Sequence, residues 1–190
     1  SDPLLERFHL MQDDVARCFA SYQPDLAAIQ IGAGLPRYYR LAAAQELLEG
    51  PGWHFTHNRH GWQAHNVHGE YFDQGWGFVP AADPHLISPR VRIDTSRYRA
   101  IQVRLAKSVD NREGQLFFVD ERGIVEEARS VRWELAAHAD AKTYEIDLRD
   151  APGWSGILTG LRLDPTNGAG DGTGQVHVVW LRLIPTWMDT

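Results

Sequence analysis

From Trp53 onward the sequence is a succession of short runs of alternating apolar and polar residues, and this texture constrains the fold more than any other feature. The runs HLISPRVRID, YRAIQVRLAK, EGQLFFVDE, SVRWELAA, KTYEIDLRD, ILTGLRLDP and GQVHVVWLRLIP are cut apart by turn formers. These are Asp110-Asn111, Arg122-Gly123, His138-Ala139-Asp140, Pro152-Gly153 and the glycine-rich residues 167–174. Side chains on a strand alternate between two faces, so a run that is apolar at every second position is built to cover a core with one of them. Such strands, with a turn every ten or so residues, predict a β-sandwich. No helix of any length is expected after residue 53.

The first fifty residues are different. LLERFHLMQDDVARCFASY places Leu4, Leu5, Phe8, Met11, Val15, Cys18, Phe19 and Tyr22 at helical spacing. RYYRLAAAQELLEG makes a second helical run that stops at Gly50-Pro51-Gly52, a strong terminator. The expected organisation is a helical segment over 1–52, either an N-terminal cap or the end of a preceding domain, and a β-sandwich over 53–187. Between the helical runs, IQIGAGLP contains GxG without a βαβ unit or a third glycine, so it is not read as a nucleotide site. The first residue is Ser, and the chain is expected to be a piece of something longer.

A chain of 190 residues can bury one sizeable core. Its net charge of −6, from 19 basic and 25 acidic residues, gives no electrostatic reason to expect nucleic acid or an anionic membrane as partner. A single cysteine, Cys18, rules out an internal disulfide and is read as an inert core thiol. The apolar runs are too short to span a bilayer, so no membrane insertion is expected. A bacterial cytoplasmic location is expected, with secretion as the alternative.

The ordered strings DPHLISPRVRIDTSRYRAIQVRLAK, GQLFFVDE, TYEIDLRDAPGWSGILTGLRLDP and GQVHVVWLRL resemble the galactose-binding-like jelly-roll modules appended to bacterial glycosyltransferases and other polysaccharide-handling proteins. The resemblance covers roughly residues 53 to 185, and its most specific elements are DP-x-x-x-SP, W-x-G and LRLDP. It implies a two-sheet jelly roll and a carbohydrate-binding accessory role beside a parent catalytic domain. It does not imply catalysis.

Two Asp-Pro steps stand out within that stretch. In LRLDP, Leu161 and Leu163 point to one face, Arg162 and Asp164 to the other, and Pro165 ends the strand because it has no donor for the ladder. In AADPHLISP, Asp83-Pro84 reads as a strand entry, with the strand starting near His85. Each Asp either accepts N–H bonds from its own turn or, as in many jelly-roll modules, helps to hold a structural Ca²⁺. Asp83, Asp164 and loop carbonyls would be the ligands.

Alternation also proposes a ligand surface. Ile101, Val103 and Leu105 face the core and leave Gln102 and Arg104 outward, while Leu116 and Phe118 leave Gln115 and Phe117 outward. If these strands and the one carrying Arg162 are neighbours, a single face presents two guanidiniums, two amides and a ring, with Glu127 nearby. Planar polar groups bond sugar hydroxyls and a ring stacks on the C–H face of a sugar. The alternative is a polar face covered by the N-terminal helices, with Arg104 paired to a carboxylate.

Among the seven tryptophans, Trp133, Trp154 and Trp180 lie in or beside apolar runs and are expected in the core. Trp62 and Trp76 follow glycines in loop-like sequence, and Tyr71 and Trp76 are the preferred stacking residues. Trp53 and Trp187 are expected to seal the domain's ends. His54, His57, His60, His65 and His68 fall within fifteen residues, but their spacing matches no closed zinc site. No GxSxG, HExxH or P-loop is present, and nothing marks a carboxylate pair such as Glu127 with Asp164 for hydrolysis.

The reading with most support is a non-catalytic module that holds glycan for a larger polysaccharide-biosynthetic or polysaccharide-modifying protein. A structural module that packs on a parent enzyme or oligomerises without binding sugar is the alternative, and a small hydrolase or lyase is the third possibility.

Overall fold

A computed structural model of the chain describes residues 52–137, 139–167 and 174–186. The two expected N-terminal helices, Cys18, Trp187 and most of the glycine-rich turn lie outside the described residues. The described part is built from eleven strands. They are β1 (Gly52–His54), β2 (Gln63–Phe72), β3 (Trp76–Ile87), β4 (Ile93–Asp94), β5 (Tyr98–Lys107), β6 (Glu113–Val119), β7 (Ser130–Glu134), β8 (Ala139–Asp147), β9 (Ile157–Leu158), β10 (Gly160–Asp164) and β11 (Val176–Pro185). The helical turns among the described residues are two three-residue 3₁₀ segments, Thr95–Arg97 and Glu127–Arg129. None of the described helices is long and apolar enough to cross a membrane.

Hydrogen bonding runs in the order β7-β6-β10-β3-β11-β5-β8, with β1 on β11 and β2 on β3, while β4 and β9 form a separate pair. The strand that turns this path into two layers is β3. At its start Trp76 lies between Phe72 of β2 and Val178 of β11; near its end Leu86 lies between Ala64 of β2 and Leu163 of β10. The same edge of β3 therefore serves β11 first and β10 later. The chain bends between the two halves. Between the pairs Val67↔Pro80 and His65↔His85, β2 contributes only Asn66 while β3 contributes residues 81–84. Asn66 and Asp83 both have positive φ, 56° and 53°, and the Asn66 amide donates to the Asp83 carbonyl at 3.0 Å. A bulge of this kind bends a strand and lets it change sheets at a corner.

The result is a jelly-roll β-sandwich. One layer holds β11, β5, β8, β1 and the first half of β3; the other holds the second half of β3 with β10, β6 and β7. Ile101, Val103 and Leu105 of β5, Leu116 and Phe118 of β6, and Leu161 and Leu163 of β10 are buried, as their alternation requires, and Val178, Leu181 and Leu183 of β11 are buried on either side of a register shift. Trp154 links the layers. It is buried, its ring meets Phe118 edge-on at 5.1 Å, and its indole N–H donates to the Tyr98 carbonyl at 3.3 Å.

Several local expectations are corrected. Asp83-Pro84 does not start a strand near His85; it sits inside the long β3, at the corner. The histidine-rich segment, which none of the expected strand runs covered, supplies β2, whose side chains are mostly exposed and carry no apolar alternation. Trp62 and Trp76 are fully buried, packed edge-on or tilted against Phe55. Trp180 is only half-buried and points away from the core, and Trp133 is half-buried over Gly114 at the sheet edge. By contrast, β10 ends at Asp164, immediately before Pro165, as the missing donor predicts.

Candidate functional site

The residues proposed for a ligand face fall into two groups on different layers. β5 pairs with β11 and β8, whereas β6 pairs with β10 and β7. Arg104 therefore does not share a surface with Gln115, Phe117 and Arg162. Alternation assigns each side chain to a face of its own strand, but strand neighbours are set by the topology.

The second-layer group is closed on itself. Arg162 donates from Nε and Nη2 to the two oxygens of Asp164, each at 2.7 Å, and from Nη2 to Asp83 Oδ1 at 2.7 Å. Its guanidinium carbon stands 5.0 Å from the centre of the Phe117 ring. Phe117 is 6% exposed, so little of that ring is open to stack on a sugar. Gln115 is buried; it donates to Glu127 at 2.7 Å and Ser130 at 2.9 Å, and accepts from Asn167 at 3.2 Å. Arg132 bridges Glu127 and Glu113. Arg132 and Gln115 hold the Glu127 carboxyl below the usual range, which fits a fixed anion better than a proton donor.

This network also bears on the expected Ca²⁺. The Arg162 guanidinium occupies the position between Asp83 and Asp164 and already supplies their positive partner. Burial pushes the Asp164 carboxyl up, the two bonds from Arg162 oppose that, and Asp164 in turn makes Arg162 hold its proton more firmly. Among the described residues no group of three or more His, Cys, Asp or Glu is placed to hold a metal ion. The histidines of the stretch from His54 to His68 are dispersed. The His60 ring contacts the His54 carbonyl, His65 stacks on His85 at 5.0 Å, and His54 lies beside Trp180.

The first layer presents a different surface, with three rows of side chains running across the strands. In one row Gly52, Arg182, Gln102 and Glu145 are successive partners. Arg182 Nε donates to Gln102 Oε1 at 2.9 Å and Gln102 Nε2 donates to Glu145 Oε2 at 2.6 Å. Arg99 donates to the other Glu145 oxygen at 2.8 Å. In the next row His54, Trp180, Arg104 and Thr143 are partners. The Arg182 guanidinium lies 4.6 Å from the Trp180 ring centre, and the His54 ring is tilted against that ring at 6.3 Å. Arg104 donates to the Thr143 hydroxyl at 3.3 Å.

The third row is aromatic. Tyr71 of β2 lies across Gly77 of β3 and stacks on His177 of β11, with ring centres 6.0 Å apart, and its hydroxyl donates to Gln175 at 3.3 Å. Glycine is needed under the ring: a Cβ on Gly77 would stand 2.2 Å from Tyr71 Cζ. Tyr71 is 40% exposed, one of three large hydrophobic residues so open among those described. Of the expected stacking pair, Tyr71 is thus at the surface, whereas Trp76 is buried and donates its indole N–H to Glu70 at 2.9 Å.

Sequence reasoning missed Trp180, Arg182, His177 and Glu145 as members of this face. The signal for Trp180 was present but masked. In GQVHVVWLRLIP, strict alternation from Val176 and Val178 puts Trp180 inward, but a register shift between Val178 and Trp180 turns it out. Gln102 was placed outward correctly, and its exposed neighbours belong to β8 and β11.

No protein-family model matches this sequence, and no curated protein matches it. Solved structures similar to the chain include a low-affinity xylan-binding module of family 86 from Roseburia intestinalis, at 12% identity and a TM-score of 0.45 over 73% of this chain and 98% of that one. A family 6 carbohydrate-binding module from Clostridium stercorarium, in complex with cellobiose, is similar at 10% identity and a TM-score of 0.43 over 70% and 92% of the two chains. A family 11 module of a cellulosomal cellulase of Clostridium thermocellum is similar at 12% identity and a TM-score of 0.43 over 72% and 94%.

Proposed function

We propose that this chain is a non-catalytic glycan-binding module of a larger polysaccharide-biosynthetic or polysaccharide-modifying protein, and that glycan lies on the outer face of the first layer. One observation carries the reading: the rings of Tyr71 and Trp180 share one sheet surface with the guanidiniums of Arg104 and Arg182 and the amide of Gln102. A ring packs against the apolar face of a pyranose, and forked donors reach adjacent hydroxyls around its edge. Strands hold these groups in fixed register, so little ordering entropy is lost on binding.

The carboxylates of this face suit binding better than hydrolysis. Glu145 is held by Arg99 and Gln102, whose bonds keep its carboxyl below the ordinary range. Asp147 is drawn down to about 2, chiefly by its bonds with Arg149. A glycosidase acid needs the opposite shift, a carboxyl that keeps its proton near neutrality. The test is a glycan array probed with the 190-residue chain, followed by calorimetric titration of the best oligosaccharide. Binding that Trp180→Ala and Tyr71→Ala each weaken, with melting temperature unchanged, supports the reading. A flat array removes it in favour of a structural module.

A further inference from the structure

The chain as a whole is acidic, with a net charge of −6, whereas arginines gather on the described part of the glycan face. Four guanidiniums lie on or beside it, those of Arg99, Arg104, Arg149 and Arg182. Two carboxylates accompany them: Glu145, paired with Arg99, and Asp147, paired with Arg149. Among the described residues this face therefore carries more guanidiniums than carboxylates. A cationic surface on an acidic chain attracts anions selectively and repels them elsewhere.

Arg104 is the least committed of these cations. Its one hydrogen bond goes to a neutral hydroxyl, Thr143, and it forms no ion pair among the described residues. It lies directly across the strand pair from Trp180. A guanidinium has five N–H donors in a fixed fork that matches a carboxylate in two parallel bonds. Arg162, by contrast, spends its fork on Asp164. A sugar that stacks on Trp180 would therefore place its ring substituents beside a fork with most of its donors unspent.

From this we infer that the face selects an acidic glycan, one whose uronate carboxylate is taken by Arg104 while its ring packs on Trp180. The inference rests on the glycan-binding reading and adds the substrate class. A neutral sugar would use the same ring but leave the strongest available bond of the site unmade.

Polygalacturonate, alginate and hyaluronan, each beside its carboxyl-reduced counterpart, provide the probes, because reduction keeps the linkage and removes the charge. At low salt at least one acidic member is expected to bind the full chain ten-fold or more tighter than its reduced form. Added salt should narrow that ratio. Arg104→Gln should bring the ratio close to one, mainly by weakening the acidic form, while keeping the melting temperature. Equal binding of acidic and reduced forms would overturn the inference and leave the glycan-binding reading standing. An undiminished ratio in Arg104→Gln would overturn the role of Arg104. If these probes and a neutral panel of xylan, glucan and galactan all fail to bind, the reading and the inference fall together.

Discussion

Arg104 and Arg162 are the same residue in the same kind of position, an outward site on an alternating strand, one in each layer. Arg162 is pressed between two carboxylates and a phenyl ring, with its side chain 17% exposed. Arg104 touches a threonine hydroxyl across the strand pair. The difference lies in what the neighbouring strands bring. β10 supplies its own Asp164 two residues along and the corner of β3 supplies Asp83, so the fork of Arg162 is filled before any ligand arrives. β8 and β11 bring Thr143 and Trp180 to Arg104, neither of which carries charge. A guanidinium with its donors consumed is part of the fold, and one with donors to spare is available to a partner.

The comparison can be tested from its foundations upward. Trp154 underlies both layers, so Trp154→Ala should cost about 3–5 kcal/mol by leaving an unfilled cavity. The measurement is chemical denaturation of the full chain, and an unchanged midpoint would mean that the two layers do not depend on that ring.

Arg162→Ala is expected to cost nearly as much, about 3 kcal/mol, because it strands the buried Asp164 carboxylate without its partner. Adding Asp164→Asn to that variant should recover part of the loss. Arg104→Ala should change the unfolding free energy by about 0.5 kcal/mol or less, as expected for a half-buried side chain with no ion pair among the described residues. Equal losses in the two arginine variants would erase the distinction between the layers.

In binding the order reverses. Trp180→Ala and Arg104→Ala are each expected to weaken glycan affinity by about 1–3 kcal/mol, the scale of a lost charge-assisted bond or stacking ring. Gln115→Ala should leave affinity unchanged, because Gln115 is buried in the other layer. Calorimetric titration separates these outcomes, and a loss of affinity confined to Gln115→Ala would move the site to the second layer.

The smallest effect concerns acid. Glu145 has a lowered folded-state pKa, so its pairing adds stability that is complete above the unfolded carboxylate value, about 4.3, and fades as pH falls through the lower folded one. The group is 45% exposed, so solvent screening limits the gain to about 1 kcal/mol or less. Thermal melts of Glu145→Gln between pH 6 and about pH 3 should fall slightly less steeply than those of the parent chain. A steeper fall would show that Arg99 and Gln102 do not stabilise the charge.

What the sequence determined by itself is the secondary periodicity and its immediate consequences. Alternation identified the inward sets of β5, β6 and β10, because a strand's two faces follow from backbone geometry alone. Pro165 marked the end of β10 through its missing donor, and Trp154 was legible as core from the apolar strand that follows its turn. Neighbourhood was not legible. Arg104 and Arg162 have the same local pattern, and only strand order, set by non-local pairing, sends one beside Thr143 and Trp180 and the other between two carboxylates. Trp76 follows a glycine turn as an exposed ring would, yet a cavity lined by Phe55, Phe72 and Phe78 takes it in. Trp180 reached the surface through one irregularity in the pairing of β11 with β5. A strand's own residues carry its period, but a bulge arises from how two strands meet, and that is decided in the tertiary structure.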